Sequence, residues 1–387
     1  MFNRKMIFPA ACAGMLLFGI SLITLGSVKP DLALRLGIDE ITAGTLFSIL
    51  PFGMLTGSFI FGPFADRFGF KSLMIISSLL LFVAFQGIAY SGNITALKLF
   101  VFVTGLAGGA INGAANALVS DISETGKGAN LSIVGVFFGI GALGMPVILG
   151  TFGSSFSYQT IVSSVGFLTL AVMIFFLPLR FPPPKQTSGF PVSKIPALVR
   201  NNSLVIIAFF LLFQSSFEGI MNNWTTSYMT SYLGLDGNRA LYGLSAFISG
   251  MTITRLLTGS LLRDLPEKNL LLVSQAIVFS GLLVLLLTNN FIAGLTGLFL
   301  AGSGLSSGFP VMLGITGRLF SELSGTAFSL VLSFALLGNM GFNYAMGYIS
   351  KIFGIRHMLT TGFVQLAALF ILSFFIFRIT GRQGDKR

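Results

Sequence analysis

Apolar windows long enough to cross a ~30 Å hydrocarbon core recur along the chain at 6–28, 41–63, 72–91, 97–120, 130–151, 158–179, 204–232, 240–262, 269–288, 291–315, 324–350 and 357–378. Most connections between them are short. The pattern predicts twelve transmembrane helices. One joint is longer: LRFPPPKQTSGFPVSKIPALVRNNS, 179–203, is rich in proline and basic residues, and both its composition and its central position read as a linker. It separates a first six-helix bundle, 1–179, from a second, 204–387, through a cytoplasmic linker at 180–203.

Composition agrees. Of 387 residues, 54% are hydrophobic and 9% charged, with a mean hydropathy of +0.90. A soluble domain averages about 25% charged residues, so a soluble fold is excluded and a polytopic membrane protein expected. The first apolar segment is longer than the ~7–15-residue core of a signal peptide and reads as a retained first helix. A single Cys12 gives no disulfide framework or thiolate site, and a single His357 gives no histidine cluster. No metal or cofactor is expected. No nucleotide-binding loop or nucleophile–base pair occurs, so an enzyme is not expected either.

The net charge of +11 does not point to nucleic acid, because of where the charges fall. With the N-terminus inside, the cytoplasmic segments hold 16 of the 23 Lys and Arg, among them Arg4, Lys5, Arg67, Lys71, Lys194, Arg200, Arg318 and Arg378. The opposite side holds six: Lys29, Arg35, Lys98, Arg239, Lys351 and Arg356. Arg255 alone falls inside a span. This bias places both termini in the cytoplasm.

The halves repeat weakly. GPFADRFGFK (62–71) is answered by GSLLRDLPEK (259–268) at an offset of 197, and LAGGAINGAAN (106–116) by LAGSGLSSGFP (300–310) at an offset of 194. Such duplication is the architecture of transporters that rock around a midplane site. GPFADRFGFK also resembles the signature loop of the major facilitator superfamily: Gly62, Asp66, Arg67, Gly69 and Lys71 match, while Phe64 and Phe70 depart from it. The resemblance implies an all-α membrane protein with twelve transmembrane helices in two pseudo-symmetric six-helix bundles. It also implies that Gly62, Asp66, Arg67, Gly69 and Lys71 form a conformational latch, which Arg255 could join. Within the superfamily, GGAINGAANALVSD (108–121), FFGIGALGMP (137–146) and the seventh-span pattern through Phe213, Glu218, Trp224 and Tyr228 are similar to the fucose/glucose–cation symporter branch and its sodium-dependent glucose transporter relatives. Proton-coupled members of that branch carry carboxylates where Ser27 and Asn112 stand here.

Polar residues within spans are the candidate chemistry. Gln214, Glu218 and Asn222 stand at i, i+4, i+8 and share a helix face. A carboxylate at that depth costs roughly 2.5 kcal/mol or more and commonly marks an ion or substrate pathway. Glu218 is thus a candidate coupling carboxylate or solute ligand; the alternative is a structural pair with Arg255. Asn112 and Asn116 repeat the i, i+4 spacing between glycines, and Gln86, Asn339 and Asn343 lie in other spans. Asn112, Asn116, Gln86, Gln214, Asn222 and Asn339 are candidate substrate ligands, with interhelical hydrogen bonding as the alternative. Trp224, the sole tryptophan, is either a stacking platform for a sugar ring or an interfacial aromatic. Lys29-Pro30-Asp31 is expected to end the first helix, with Pro30 stopping or kinking it. The charges would then sit at the outer interface, or serve as an anion clamp (Lys29) and a second coupling site (Asp31).

These features predict a secondary transporter of the bacterial inner membrane, working as a monomer by alternating access. Its partners would be a small neutral solute of hexose type, a coupling cation, Na+ or H+, and membrane lipid. Proton-antiport efflux of drugs or metabolites, and uptake of a small organic anion, are the alternatives.

Overall fold

A computed structural model describes residues 4–123, 127–183, 200–260, 265–288, 290–320 and 324–384. Among them there is no β-strand, and twelve helices are long and apolar enough to cross a membrane. The first six are α1 (Met6–Leu36), α2 (Glu40–Phe61), α3 (Arg67–Tyr90), α4 (Ile94–Ile122), α5 (Ile133–Phe152) and α6 (Tyr158–Phe176). The second six are α7 (Asn202–Ser231), α8 (Gly237–Thr258), α9 (Glu267–Leu287), α10 (Phe291–Leu319), α11 (Ala327–Phe353) and α12 (His357–Ile379). Most of the expected linker, 184–199, lies outside the described residues.

Local chemistry sets many of the boundaries. Asp39, Asn93, Ser157, Asn201 and Asn290 each accept a hydrogen bond from a first-turn backbone N–H and so cap α2, α4, α6, α7 and α10. The signature loop is a kink rather than an open loop: helix runs from Glu40 to Tyr90 with non-helical angles only at Gly69, φ 81° and ψ 159°. That conformation favours glycine over any residue with a Cβ. Lys29-Pro30-Asp31 does not end α1 as expected, since the helix continues through Pro30 to Leu36. A membrane span tolerates the single hydrogen bond that proline removes where neighbouring groups satisfy the freed carbonyl.

The contacts divide the chain into two compact units, Met1–Ser188 with Leu235–Ser245, and Gly189–Gly234 with Ala246–Arg387. Each unit carries the same helix-packing device. In the first, a Cβ on Gly53 would strike the Phe102 carbonyl, and one on Gly105 the Leu50 carbonyl, so α2 and α4 touch backbone to backbone. In the second, Gly250 meets the Phe299 carbonyl and Gly302 the Phe247 carbonyl, joining α8 to α10 in the same way. All four residues are shifted by 197. The contact of Gly141 with the Leu16 carbonyl, between α1 and α5, returns as Gly338 on the Leu212 carbonyl, between α7 and α11. The register of 197 therefore holds for α4 and α10 too, and corrects the 194 suggested by their glycine-rich strings. Small residues match at several registers, and only the packing picks one.

Candidate functional site

α10 is broken. Its first segment ends at Leu305, Ser306 and Ser307 form a turn, and helix resumes at Gly308. Pro310 has no N–H, so the Ser306 carbonyl, four residues earlier, has no helical donor. Side chains of neighbouring helices bind the carbonyls at the break. Gln214 Nε2 on α7 donates to Leu305 O at 2.7 Å, and Arg255 Nε on α8 donates to Ser306 O at 3.4 Å.

Glu218 lies between these two donors. Gln214 Nε2 also donates to Glu218 Oε1 at 2.9 Å, and Arg255 Nη2 stands 3.5 Å from Glu218 Oε2. The Arg255 side chain is 31% exposed and that of Glu218 14%. Glu218 thus does pair with Arg255, but both Arg255 contacts exceed the 2.7–3.2 Å of a good N–H···O bond. The guanidinium is shared loosely between a carboxylate and a main-chain carbonyl. Gln214 is buried and fits closely, for a Cβ on Gly308 would come within 2.5 Å of its Oε1. Asn222, one turn beyond Glu218, has an enclosed Oδ1 with no hydrogen-bond partner among the described residues.

A chain of amides ties α7 to α11. Asn343 Oδ1 accepts from Asn223 Nδ2 and from Trp224 Nε1, both at 3.1 Å. Asn343 Nδ2 donates to Asn339 Oδ1 at 2.8 Å, and Asn339 Nδ2 donates to Ser215 O at 3.1 Å. Trp224 is fully buried. Its indole sits in the helix interface rather than on an open wall or at a membrane surface. Asn343, buried and at the centre, is the residue that sequence reasoning underrated; its i, i+4 spacing from Asn339 was the available signal. α12 is tied to α7 as well: Gln365 Nε2 donates to Ser216 Oγ at 2.8 Å.

The first unit is simpler. Asn116 Nδ2 donates to Asn112 Oδ1 at 3.0 Å and to Asn112 O at 2.9 Å, and lies 3.9 Å from Met15 Sδ. Both asparagines are half-buried. Gln86 bonds Ser163 twice, through Nε2 to Ser163 O at 3.1 Å and through Oε1 from Ser163 Oγ at 2.8 Å, so it fastens α3 to α6. Lys29 is buried and pairs with Glu40 Oε1 at 2.9 Å, which turns it inward instead of toward the outer interface. Asp31 is exposed near the end of α1.

Of the latch residues, the surroundings of Gly62 and the side chain of Asp66 lie outside the described residues. Arg67 is exposed, its guanidinium 5.2 Å from the Phe68 ring centroid. Lys71 Nζ donates to Leu177 O at 2.6 Å, linking the start of α3 to the end of α6. Arg255 bonds Glu218 and Ser306.

The family model described as Major Facilitator Superfamily matches residues 11–340. The inner membrane transport protein YdiN of Escherichia coli (strain K12) is 21% identical over 391 residues, covering 97% of this chain and 91% of that protein. The 4-hydroxybenzoate transporter PcaK of Acinetobacter baylyi is 34% identical over 169 residues, 41% of this chain, and that match spans 36% of its length. Among solved structures, a D-xylose-proton symporter superposes with a TM-score of 0.81 at 14% identity, covering 96% of this chain and 97% of that one. The nucleoside transporter NupG gives 0.80 at 15% identity, over 97% and 98%. At these identities the structural likeness speaks for the fold alone.

Proposed function

The chain belongs to the Major Facilitator Superfamily, a family of membrane transporters rather than enzymes, and from that premise we propose that it is a secondary active transporter of a neutral, hydroxyl-rich solute of hexose type. Its two halves, 1–179 and 204–387, would alternate access to the solute with Na+ or H+ as the coupling ion. In this reading the protein is a monomer of the bacterial inner membrane with both termini cytoplasmic. Gly62, Asp66, Arg67, Gly69 and Lys71 latch one of its states.

The observation that carries the reading is the Glu218 centre. A carboxylate, a guanidinium and two main-chain carbonyls meet at a break in a transmembrane helix, and broken helices are where transporters of several folds bind substrate and ions. Glu218 is the coupling group: protonation, or a cation on its oxygens, cancels the charge that holds Arg255 Nη2 at 3.5 Å. Charge balance favours a neutral solute, because Glu218 faces Arg255 and Lys29 faces Glu40. Asn112, Asn116, Gln214 and Asn222 supply the donors and acceptors that hydroxyls need, and Asp31 is the second coupling candidate. Asn339, Gln86 and Trp224, engaged within their bundles, act on the solute through the helices they position. The likeness of the seventh-span pattern to the fucose/glucose symporter branch supports the same class.

A second reading, uptake of a small organic anion, draws on the 34% identity to a 4-hydroxybenzoate transporter over part of the chain. Counterflow in proteoliposomes separates the two. Trans-acceleration of labelled glucose or fucose, unaffected by 4-hydroxybenzoate, supports the sugar reading. Exchange of the aromatic acid alone moves the protein to the second reading. Exchange of neither rejects both and favours efflux.

A further inference from the structure

Away from the Glu218 centre, the end of the second unit remote from the C-terminus carries a groove of about 570 Å³ between the end of α9 and the start of α12. Its walls are graded. Arg356 and His357 stand at the mouth, and Leu286, Phe363, Val364 and Ala367 continue it along the two helices. Gly354, at φ +88°, turns the chain between α11 and α12 just before this mouth. Next to the groove, Tyr228 of α7 ties down the end of α9: its hydroxyl donates to Leu285 O at 3.2 Å.

Among the described residues, no carboxylate pairs with the charge at the mouth, and Arg356 belongs to none of their ion pairs. Its guanidinium is exposed and lies 5.4 Å from the ring centroid of Tyr232. Beside it, His357 has an enclosed Nδ1 without a hydrogen-bond partner among the described residues. A cation over an aromatic face at a membrane boundary keeps its outward N–H groups free for an anion.

The apolar continuation is open sideways, with Val364 60% and Leu286 40% exposed. Such surfaces on a membrane span meet acyl chains. Arg356 and Ala367 are eleven residues apart, about 16 Å along a helix and about half of a ~30 Å hydrocarbon core. A cationic mouth followed by one leaflet's depth of apolar wall has the polarity and the length of a single phospholipid.

We propose that this groove is a binding site for an anionic phospholipid, with the headgroup phosphate on Arg356 and one acyl chain along Phe363, Val364 and Ala367. The site stands apart from the transport reading. Loss of a basic residue near an anionic headgroup weakens binding about fivefold.

The test is native mass spectrometry of the purified full chain titrated with phosphatidylglycerol or phosphatidylcholine. The variants are Arg356→Ala, Val364→Trp to fill the groove, and Arg239→Ala as a charge-matched control in the first turn of α8. The expected result is one tightly held phosphatidylglycerol in the parent and in the control, weaker phosphatidylcholine, and about fivefold or greater loss in Arg356→Ala. Val364→Trp should lose retention of both lipids without any change in charge. Equal affinity for the two lipids, an equal loss in Arg239→Ala, or unchanged binding in either groove variant would overturn the proposal.

Discussion

Arg255 holds the Ser306 carbonyl at 3.4 Å through Nε while its Nη2 faces the Glu218 carboxylate at 3.5 Å. One guanidinium therefore connects an ionisable group on α7 to the break in α10. Two long contacts, rather than one short one, suit a group that shifts between partners. If Glu218 loses its charge, the carbonyl is the partner that remains.

Pro310 is what frees that carbonyl. In Pro310→Ala a backbone N–H becomes available to Ser306, and the break in α10 should narrow toward continuous helix. A recovered main-chain bond of ~1 kcal/mol should raise thermal stability slightly and slow exchange by about fivefold if the break must open during transport. Melting of the detergent-solubilised protein, read beside counterflow rate, checks this. A faster carrier, or a less stable one, contradicts it.

Glu218 and Arg255 should be coupled in stability. Removing one partner leaves a poorly solvated charge, so Glu218→Gln and Arg255→Gln should each cost about 2 kcal/mol, below the 3–5 kcal/mol of a fully buried pair because both side chains retain some exposure. The double variant should cost less than the sum of the two. Strict additivity in a double-mutant cycle would mean that the 3.5 Å approach carries no interaction.

The spans were legible in the sequence because bilayer crossing demands long apolar runs, and charges at the joints cannot hide. The signature string around Gly69 was legible for the same reason, since positive φ leaves few residue choices. What could not be read was rotation. Gln214, Glu218 and Asn222 share a face by spacing, yet Gln214 and Glu218 find partners while Asn222 Oδ1 has none among the described residues, and the adjacent Asn223 carries the link to α11. Trp224 pointed equally to a solute or to a membrane surface until its N–H was seen on Asn343. The break in α10 was written as SSGFP, 306–310, but a run of small residues inside an apolar window also fits close packing. The carbonyls it exposes, and who captures them, belong to tertiary structure.

Asn343 should be indispensable to folding rather than to solute recognition. Asn343→Leu strips the Asn223 amide and the Trp224 indole N–H of their shared buried acceptor, at about 1–3 kcal/mol. Asn343→Asp keeps the acceptor and should recover part of that loss. Thermal unfolding in detergent distinguishes them. A Leu variant as stable as the parent would show that the amide chain contributes nothing.

The glycine repeat makes a paired prediction. Gly53→Ala and Gly250→Ala each drive a methyl into a backbone carbonyl of the neighbouring helix, and should destabilise their units alike by about 1–3 kcal/mol. Gly135→Ala and Gly144→Ala, whose added Cβ atoms meet nothing within 4 Å, should be tolerated. Comparable losses at all four positions would remove the packing explanation of the 197-residue repeat.

The central claim is that Glu218 is the group through which an ion gradient drives the solute. Its most direct test is uptake of labelled hexose into proteoliposomes under an imposed Na+ or H+ gradient, comparing the parent with Glu218→Gln. The account predicts uphill accumulation in the parent with one of the two ions. In the variant, uptake falls to simple equilibration while solute counterflow persists. Accumulation that survives in Glu218→Gln would contradict it, and would leave the carboxylate as a clamp for Arg255 and nothing more.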